Sequence, residues 1–412
     1  MWTVRALFSL AVFYTQVLAF DASKWQSLER NIGRHGFFKT ADPKNCGSWH
    51  QRYTKLHQRE VLKGGAGRYL YHVCDEGQAD CLVGAVSAFY IALLSKRAFF
   101  TGKFSFQYHG GVRSGALDDA FEIQAGGLDW RIPDALYHEH VVNGEHALLI
   151  GESIDHATDN QIRRIVARSL GPDQSMVLLS NAGVIHRLFN IKAVRNAMQR
   201  LGVVEDHAFG CALDYMFQPR PDIMNEFLEE LFVLRDPERP PVIGLHLRSG
   251  DNVFTNKSYA GDGVDIVRRK FSSAFDCVRQ VSTYLEASGR VRPIIYVLSD
   301  DVDVRAAVPK ILTDKSVLVN TNIVPQHTGP YQMATTVSSK GLQAAAIEFW
   351  LFGEADVQIT YSLSGYGRAS AARSIPFKPM RVHVIKNYTM LQSCLPRDEV
   401  TFEAISKMKP GI

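Results

Sequence analysis

The stretch PVIGLHLRSGDNVF, residues 241–254, decides the fold of the second half of the chain. Its apolar run at 242–245 is typical of a strand that is buried on both faces of a parallel sheet. Three ionisable side chains follow this run: His246, Arg248 and Asp251. Because ligands bind beyond the carboxyl ends of the strands in open α/β sheets, the stretch predicts a core strand that leads into a binding site.

Apolar runs and helical patterns alternate after this strand. A helix is predicted where apolar residues recur at three- and four-residue spacing from Phe271 to Leu285, and another over 338–356. Short apolar runs predict further buried strands at 294–299, 316–320 and 357–360. This alternation predicts a doubly wound α/β unit with a parallel sheet.

The first half of the chain shows the same alternation. Buried strands are predicted at 68–73, 97–100, 146–150 and 175–180, and helices at 81–96 and 182–202. The charged, proline-rich segment LRDPERPP at 234–241 is the best candidate for a linker. We therefore predict an α/β fold of two facing Rossmann-like domains, 40–235 and 241–400, with a ligand-binding cleft between them.

Composition and the N-terminus restrict the class of protein. Of 412 residues, 46% are hydrophobic and 21% are charged, as in an ordinary globular protein, and the net charge of +4 gives no reason to expect a nucleic acid partner. The first segment has Arg5 before an apolar run and predicts a signal peptide over 1–19, or a membrane anchor if it is not cleaved. The expected location is the lumen of the Golgi or endoplasmic reticulum, or outside the cell.

The six cysteines fit an oxidising compartment, because their even number permits up to three disulfides. Cys74 and Cys81 are close enough in sequence to pair locally, and the alternative is that some of the six are buried thiols. None has the spacing of a zinc site, so no metal is predicted. The glycosylation sequons at Asn256 and Asn387 agree with a secretory route, although such triplets often arise by chance.

Polar clusters follow three of the strands predicted in the second half. In the first cluster, Arg248 offers a planar fork for phosphate oxygens and His246 can donate a hydrogen bond. The alternative is an ion pair between Arg248 and Asp251. The second cluster can accept hydrogen bonds from guanine or can cap a helix, and it consists of Ser299, Asp300 and Asp301.

The third cluster is a turn rich in glycine and hydroxyl groups, and it contains Ser362, Ser364, Gly365 and Gly367. At a helix N-terminus such a turn offers N–H groups and a positive dipole end to an anion. The alternative is a tight turn that needs glycine for its dihedral angles. Taken together, the three clusters describe a site for a nucleoside diphosphate, where an arginine and a helix dipole can balance the charge without a metal.

These motifs resemble those of the fucosyltransferase superfamily, which includes α1,6-fucosyltransferases, protein O-fucosyltransferases, plant xyloglucan fucosyltransferases and bacterial nodulation fucosyltransferases. The HLR sequence at 246–248 is similar to their first motif, and SDD at 299–301 is similar to their second. TYSLSGYGRAS at 360–370 is similar to the third motif in its plant form. A weaker likeness connects GQADCLVGAVSAFYIALLSKRAFF, residues 77–100, with the opening segment of such enzymes.

The resemblance implies a GT-B fold that binds GDP-fucose in its second domain and the acceptor at its first. It implies an inverting transfer of L-fucose to a hydroxyl group of a glycan or glycoprotein, with no required metal or other cofactor. By position, Arg248 would hold the β-phosphate, and guanosine would contact His246 and one member of the acidic pair Asp300 and Asp301. The phosphate loop would consist of Ser362, Ser364, Gly365, Tyr366 and Gly367.

Two departures from the family pattern concern the acceptor side and the general base. GQADCL lacks the second glycine and the arginine of the family's GLGDRL segment, and Asn256 stands where the α1,6 enzymes have a glutamate. Asp251 could orient Arg248 or act as the base, Asp262 and Asp265 are other candidates, or the reaction needs little help from a base. The alternative functions are another GT-B glycosyltransferase with a different nucleotide sugar, and a catalytically silent relative that binds glycans.

Overall fold

A computed structural model describes residues 42–74, 77–101, 117–133, 136, 147–150, 158–171, 175–250, 263–289, 291–323 and 338–408. The predicted signal peptide lies outside these residues. Within the described part, the first half has six strands: β1 Tyr69–Val73, β2 Ala98–Phe100, β3 Phe121–Ile123, β4 Ala147–Ile150, β5 Ser175–Leu179 and β6 Phe217–Pro219. Four of them form a parallel sheet in the order β2-β1-β5-β4, and β3 pairs with β6 in an antiparallel ribbon that the sequence patterns did not predict.

The helices of the first half cover its sheet. They are α1 Pro43–Cys46, α2 Trp49–Leu62, α3 Gln78–Ser95, α4 Leu117–Ala120, α5 Asp159–Ser169, α6 Ile185–Asn190, α7 Lys192–Arg200, α8 Glu205–Met216 and α9 Leu228–Arg235. Short 3-10 turns lie at Gly64–Ala66 and Pro221–Phe227. The single helix predicted over 182–202 is wrong, because Ile191 has extended dihedral angles (φ −84°, ψ 108°) and separates α6 from α7.

The second half contains the five-stranded parallel sheet that its apolar runs predict. Its strands are β7 Val242–Leu247, β8 Ile294–Ser299, β9 Ser316–Leu318, β10 Val357–Tyr361 and β11 Val382–Ile385, in the order β11-β10-β7-β8-β9. The helices are α10 Val264–Lys270, α11 Ser272–Ala287, α12 Val302–Ile311, α13 Ser339–Gly353, α14 Gly365–Arg373 and α15 Phe402–Ser406, with a 3-10 turn at Pro396–Asp398. The predicted α/β class with parallel sheets is therefore confirmed.

One hydrophobic cluster contains residues of both halves. Trp350 of α13 packs its ring against Phe121 of β3, with the ring centroids 5.3 Å apart. The buried side chains of Arg373 in α14 and Asp214 in α8 form an ion pair with an N–O distance of 2.9 Å. Gly210 of α8 lies so close to α14 that a Cβ there would be 2.3 Å from the Arg373 carbonyl oxygen. Helix α14 is therefore packed tightly against the first half.

Three disulfides link all six cysteines: Cys46–Cys211, Cys74–Cys81 and Cys277–Cys394. The predicted local pair joins the end of β1 to the first turn of α3. Among the described helices, α3 alone is long and apolar enough to cross a membrane, and it is almost entirely buried as the central helix of the first half.

Candidate active site

The three polar clusters lie side by side because their strands are neighbours. In the second sheet β10, β7 and β8 are adjacent, and Leu247, the last residue of β7, is opposite Ser299, the last residue of β8. All three strands run in parallel, so their carboxyl ends share one edge of the sheet. The segments that follow these strands are therefore brought together at that edge.

Asp300 organises the turn that follows β7. Its carboxylate accepts hydrogen bonds from the backbone N–H groups of Ser249 (2.7 Å) and Gly250 (3.2 Å). It also forms an ion pair with Arg248, with 2.5 Å between Nη1 and Oδ2. Gly250 has a φ of +108°, which explains why glycine is needed where the turn folds around the carboxylate. Arg248 is thus paired with Asp300, whereas the ion pair expected from the sequence was with Asp251.

Asp301 has a different role from its neighbour. It is the N-cap of α12, and its Oδ1 accepts hydrogen bonds from the backbone N–H groups of Asp303 (2.9 Å) and Val304 (3.4 Å). Its Oδ2 is buried and has no hydrogen-bond partner within the described part of the chain. Helix capping, the alternative considered for this cluster, therefore applies to Asp301, whereas Asp300 belongs to the turn after β7.

A buried arginine forms a hydrogen bond with the last residue of β8. Arg305 of α12 donates from Nε to the carbonyl oxygen of Ser299 (2.7 Å) and forms a two-pronged ion pair with Glu348 of α13 (2.5 and 2.8 Å). Burial acts to lower the pKa of this arginine, but the charge and hydrogen bonds of the Glu348 carboxylate outweigh it, so the pKa lies above its ordinary value. The sequence offered one signal for it, an arginine one helical turn after the acidic pair.

His246 is buried under the first turn of α14. Its Nδ1 is 3.4 Å from Oγ1 of Thr360, and its ring centroid is 5.6 Å from that of Tyr366. Burial lowers the pKa of His246 to about 4, although Asp300 acts against this shift, so the imidazole is neutral near pH 7. A Cβ on Gly367 would be 2.2 Å from Thr360 Oγ1 and 2.7 Å from His246 Nδ1, so glycine is needed for this close approach.

The glycine- and hydroxyl-rich turn leads from β10 into α14. Ser364 is the N-cap of this helix, and its side chain makes no capping hydrogen bond to the first turn. The backbone N–H of Ser362 donates to Ile385 of β11 (2.9 Å), which fixes the start of the turn, while Gly365 begins the helix. Tyr366 differs from the other residues of this turn, because its hydroxyl donates to the Ala345 carbonyl oxygen. Its phenol is therefore directed toward α13.

Two residues that the sequence patterns did not indicate hold the turn after β7. Lys270, the last residue of α10, donates from Nζ to the carbonyl oxygen of Ser249 (3.1 Å). The hydroxyl of Tyr388 accepts a hydrogen bond from the backbone N–H of Arg248 (2.9 Å), and its ring stacks on Tyr361 at 4.3 Å between centroids. Tyr388 follows β11, a strand whose apolar residues Val382, Val384 and Ile385 were the available signal.

Of the three candidate bases, only Asp265 lies within the described part of the chain. Asp251 and Asp262 lie outside the described residues, as does Asn256. Asp265 lies in the first turn of α10, where its exposed carboxylate accepts a hydrogen bond from Arg268 (3.2 Å). In the described ranges no group of three or more His, Cys, Asp or Glu side chains is arranged to hold a metal ion.

Known structures are similar to this chain, whereas the searches by sequence found no match. No protein-family model and no curated protein sequence matches the chain. A solved structure of a mutant of the FUT1 protein of Arabidopsis thaliana in complex with GDP is 14% identical and has a TM-score of 0.54. The alignment covers 79% of this chain and 76% of that one.

A fucosyltransferase structure of lower similarity is NodZ from Bradyrhizobium, with 16% identity and a TM-score of 0.43 over 74% of this chain and 92% of that one. This TM-score is too low to support a conclusion about the fold. The similarity to plant FUT1 and the two parallel sheets do support a conclusion about the fold. The chain therefore has the GT-B fold of the plant fucosyltransferase structure, built from two Rossmann-like units.

Proposed function

We propose that this protein is an inverting fucosyltransferase that moves L-fucose from GDP-fucose to a hydroxyl group of a glycan or glycoprotein in the lumen of the secretory pathway. The observation that carries the proposal is the adjacency of three strand ends that bear Arg248, the acidic pair and the N-terminus of α14. The plant structure of the same fold binds GDP. Three disulfides support an oxidising compartment.

In the proposed reaction an acceptor hydroxyl attacks the anomeric carbon from the face opposite to the leaving group. The bond between this carbon and the β-phosphate oxygen breaks, and negative charge builds up on GDP. Arg248 and the N–H groups at the start of α14 would stabilise this charge more in the transition state than in the ground state. The hydroxyl proton would pass to one of the candidate carboxylates or to solvent.

The ion pair of Arg248 with Asp300 has a consequence for donor binding. Before the donor arrives, the guanidinium is oriented by a carboxylate that also holds the backbone turn. A diphosphate carries more charge than a carboxylate and can share the planar fork with it. Asp300 would thus keep Arg248 in place, while the base of GDP would contact the neighbouring His246 and Asp301.

Nucleotide binding can be tested by thermal unfolding with GDP, UDP and no ligand. A ligand that binds the folded state alone raises the melting temperature, so GDP should stabilise the chain and UDP should not. Equal stabilisation by UDP would indicate another nucleotide sugar. Binding of GDP without release of fucose from GDP-fucose would indicate a silent relative, and no effect of GDP would overturn the proposal.

The role of Arg248 is tested by Arg248→Lys, which preserves the charge but removes the planar fork. We expect kcat to fall about 10²-fold or more, which is the typical effect of losing one donor to a developing charge. Arg269→Lys on the exposed surface of α10 is the matched control and should leave kcat unchanged. Wild-type turnover of purified Arg248→Lys would rule out this assignment. A glycan array with labelled GDP-fucose would identify the acceptor.

A further inference from the structure

The turn after β11 presents an exposed asparagine in an ordered conformation. Asn387 Oδ1 accepts hydrogen bonds from both the backbone N–H and the hydroxyl of Thr389, each at 2.9 Å. Both side chains are exposed. In the part of the chain that the structure describes, the amide nitrogen Nδ2 of Asn387 makes no hydrogen bond. The Asn-Tyr-Thr triplet therefore holds its amide nitrogen toward solvent.

The residues on either side fix this turn to the protein. Between the two exposed residues, the ring of Tyr388 is buried against Phe271 (4.7 Å between centroids) and Tyr361. Gln392 donates from Nε2 to the Val384 carbonyl (2.8 Å) and so closes the loop onto β11. The Cys277–Cys394 disulfide then ties the segment to α11. A group attached to the asparagine would thus stand at a fixed position.

Two large apolar side chains are exposed directly beside the sequon. Met390 is 64% exposed and Leu391 is 78% exposed, three and four residues after Asn387. Adjacent exposed apolar residues favour association between molecules unless something covers them. A glycan attached to Asn387 would begin within four residues of both side chains, so its first sugar residues would lie beside them.

We propose that Asn387 is an N-glycosylation site whose first sugar residues cover Met390 and Leu391. The co-substrate is an oligosaccharide linked through a diphosphate to a lipid. Nδ2 of Asn387 forms a bond to C1 of the oligosaccharide and loses a proton, while the bond from C1 to the diphosphate oxygen breaks and the lipid diphosphate leaves with the electron pair. The proposal rests on the secretory location proposed above and is independent of fucosyl transfer.

The first experiment is peptide mass spectrometry on the full chain purified from a eukaryotic cell line, with and without removal of N-glycans by an amidase. The expected result is an occupied Asn387, conversion to aspartate after amidase treatment, and loss of the modification in Asn387→Gln and Thr389→Ala. Thr389→Ser keeps the sequon and is the matched control that should stay modified.

Peptide mass spectrometry on the same sample also shows whether the Cys277–Cys394 disulfide has formed. An unmodified Asn387 overturns the proposal, and the state of the disulfide then tells whether the compartment or the site was wrong. Fucosyl transfer is measured separately, so failure of the proposed function is not confused with this result.

The second experiment tests the covering role by light scattering. Asn387→Gln should form aggregates at concentrations where the wild type is monodisperse, and adding Met390→Ser and Leu391→Ser to it should restore the wild-type behaviour. Aggregation that persists in the triple variant, or no aggregation of Asn387→Gln, would contradict the covering role.

Discussion

At the scale of single residues, the turn after β7 is held by more contacts than its motif indicates. Tyr388 accepts from its first backbone N–H, Asp300 accepts from the next two, and Lys270 donates to the Ser249 carbonyl. Burial lowers the pKa of Lys270, and the nearby carboxylates Asp300 and Asp301 oppose this shift. Lys270 thus adds a positive charge next to the pair formed by Arg248 and Asp300.

Lys270→Met should weaken GDP binding about tenfold, because the Ser249 carbonyl loses its donor and the site loses one cation near the diphosphate. Calorimetric titration at two salt concentrations measures this, and the variant should also show a weaker dependence of affinity on salt. Lys270→Arg should restore most of the affinity, and Arg269→Met, on the exposed side of the same helix, should have no effect. A lower melting temperature with unchanged GDP affinity would show that Lys270 only stabilises the fold.

At the scale of elements, the sequence predicted the strands better than the contacts between them. Unbroken apolar runs identify β7, β8 and β10, and their parallel direction brings the polar ends together. The pairing of Arg248 with Asp300 joins residues 52 positions apart, and neither helical nor strand periodicity carries information about it. The break of 182–202 at Ile191 was missed for a related reason, since apolar periodicity continues through a residue with extended dihedral angles.

The packing of α14 on β10 depends on Gly367. In Gly367→Ala the added Cβ would overlap with Thr360 and His246, at a cost of about 1–3 kcal/mol, which outweighs the gain of up to about 1 kcal/mol in helix propensity. We expect a lower free energy of unfolding and loss of GDP binding. Thr360→Ala removes one of the overlapping atoms, so the double variant should recover part of the lost stability. Full stability and GDP affinity in Gly367→Ala would contradict this packing.

The packing of α9 against α13 makes stability depend on pH. Burial, and secondarily Glu348, raises the pKa of Glu230 from 4.5 to about 7, while Arg305 acts in the opposite direction. The folded chain then binds more protons than the unfolded chain between these values, so stability is lost as the pH rises from about 4.5 to 7.

Glu230→Gln, compared with the wild type by denaturant unfolding, should therefore be more stable by up to about 3 kcal/mol at pH 8 and show little difference at pH 4.5. Glu238→Gln, at an exposed position three residues after the end of α9, should not change the pH dependence. The same difference between Glu230→Gln and wild type at both pH values would show that the Glu230 carboxyl does not titrate in this range.

At the scale of the whole molecule, the GT-B fold combines two parallel sheets, and the largest of its buried hydrophobic clusters spans both halves. Residues of both halves belong to the same hydrophobic cluster, among them Phe121 and Trp350. Helix α14, whose first turn borders the candidate donor site, ends at Arg373 against the first half. The first half and the start of the candidate phosphate loop are therefore connected through one helix.

Because α14 connects the two halves, we expect the chain to unfold in a single transition. We also expect this connection to depend on Asp214. Asp214→Asn leaves the buried guanidinium of Arg373 without its counter-charge, which should cost about 3 kcal/mol or more. Glu399→Gln breaks the partly exposed pair with Arg381 inside the second half and should cost less than about 1 kcal/mol. Denaturant unfolding followed by circular dichroism and by tryptophan fluorescence measures both, and the two curves should coincide for the wild type. Two separate transitions in the wild type, or an equal loss in the two variants, would show that the halves are stabilised independently and that α14 does not connect them.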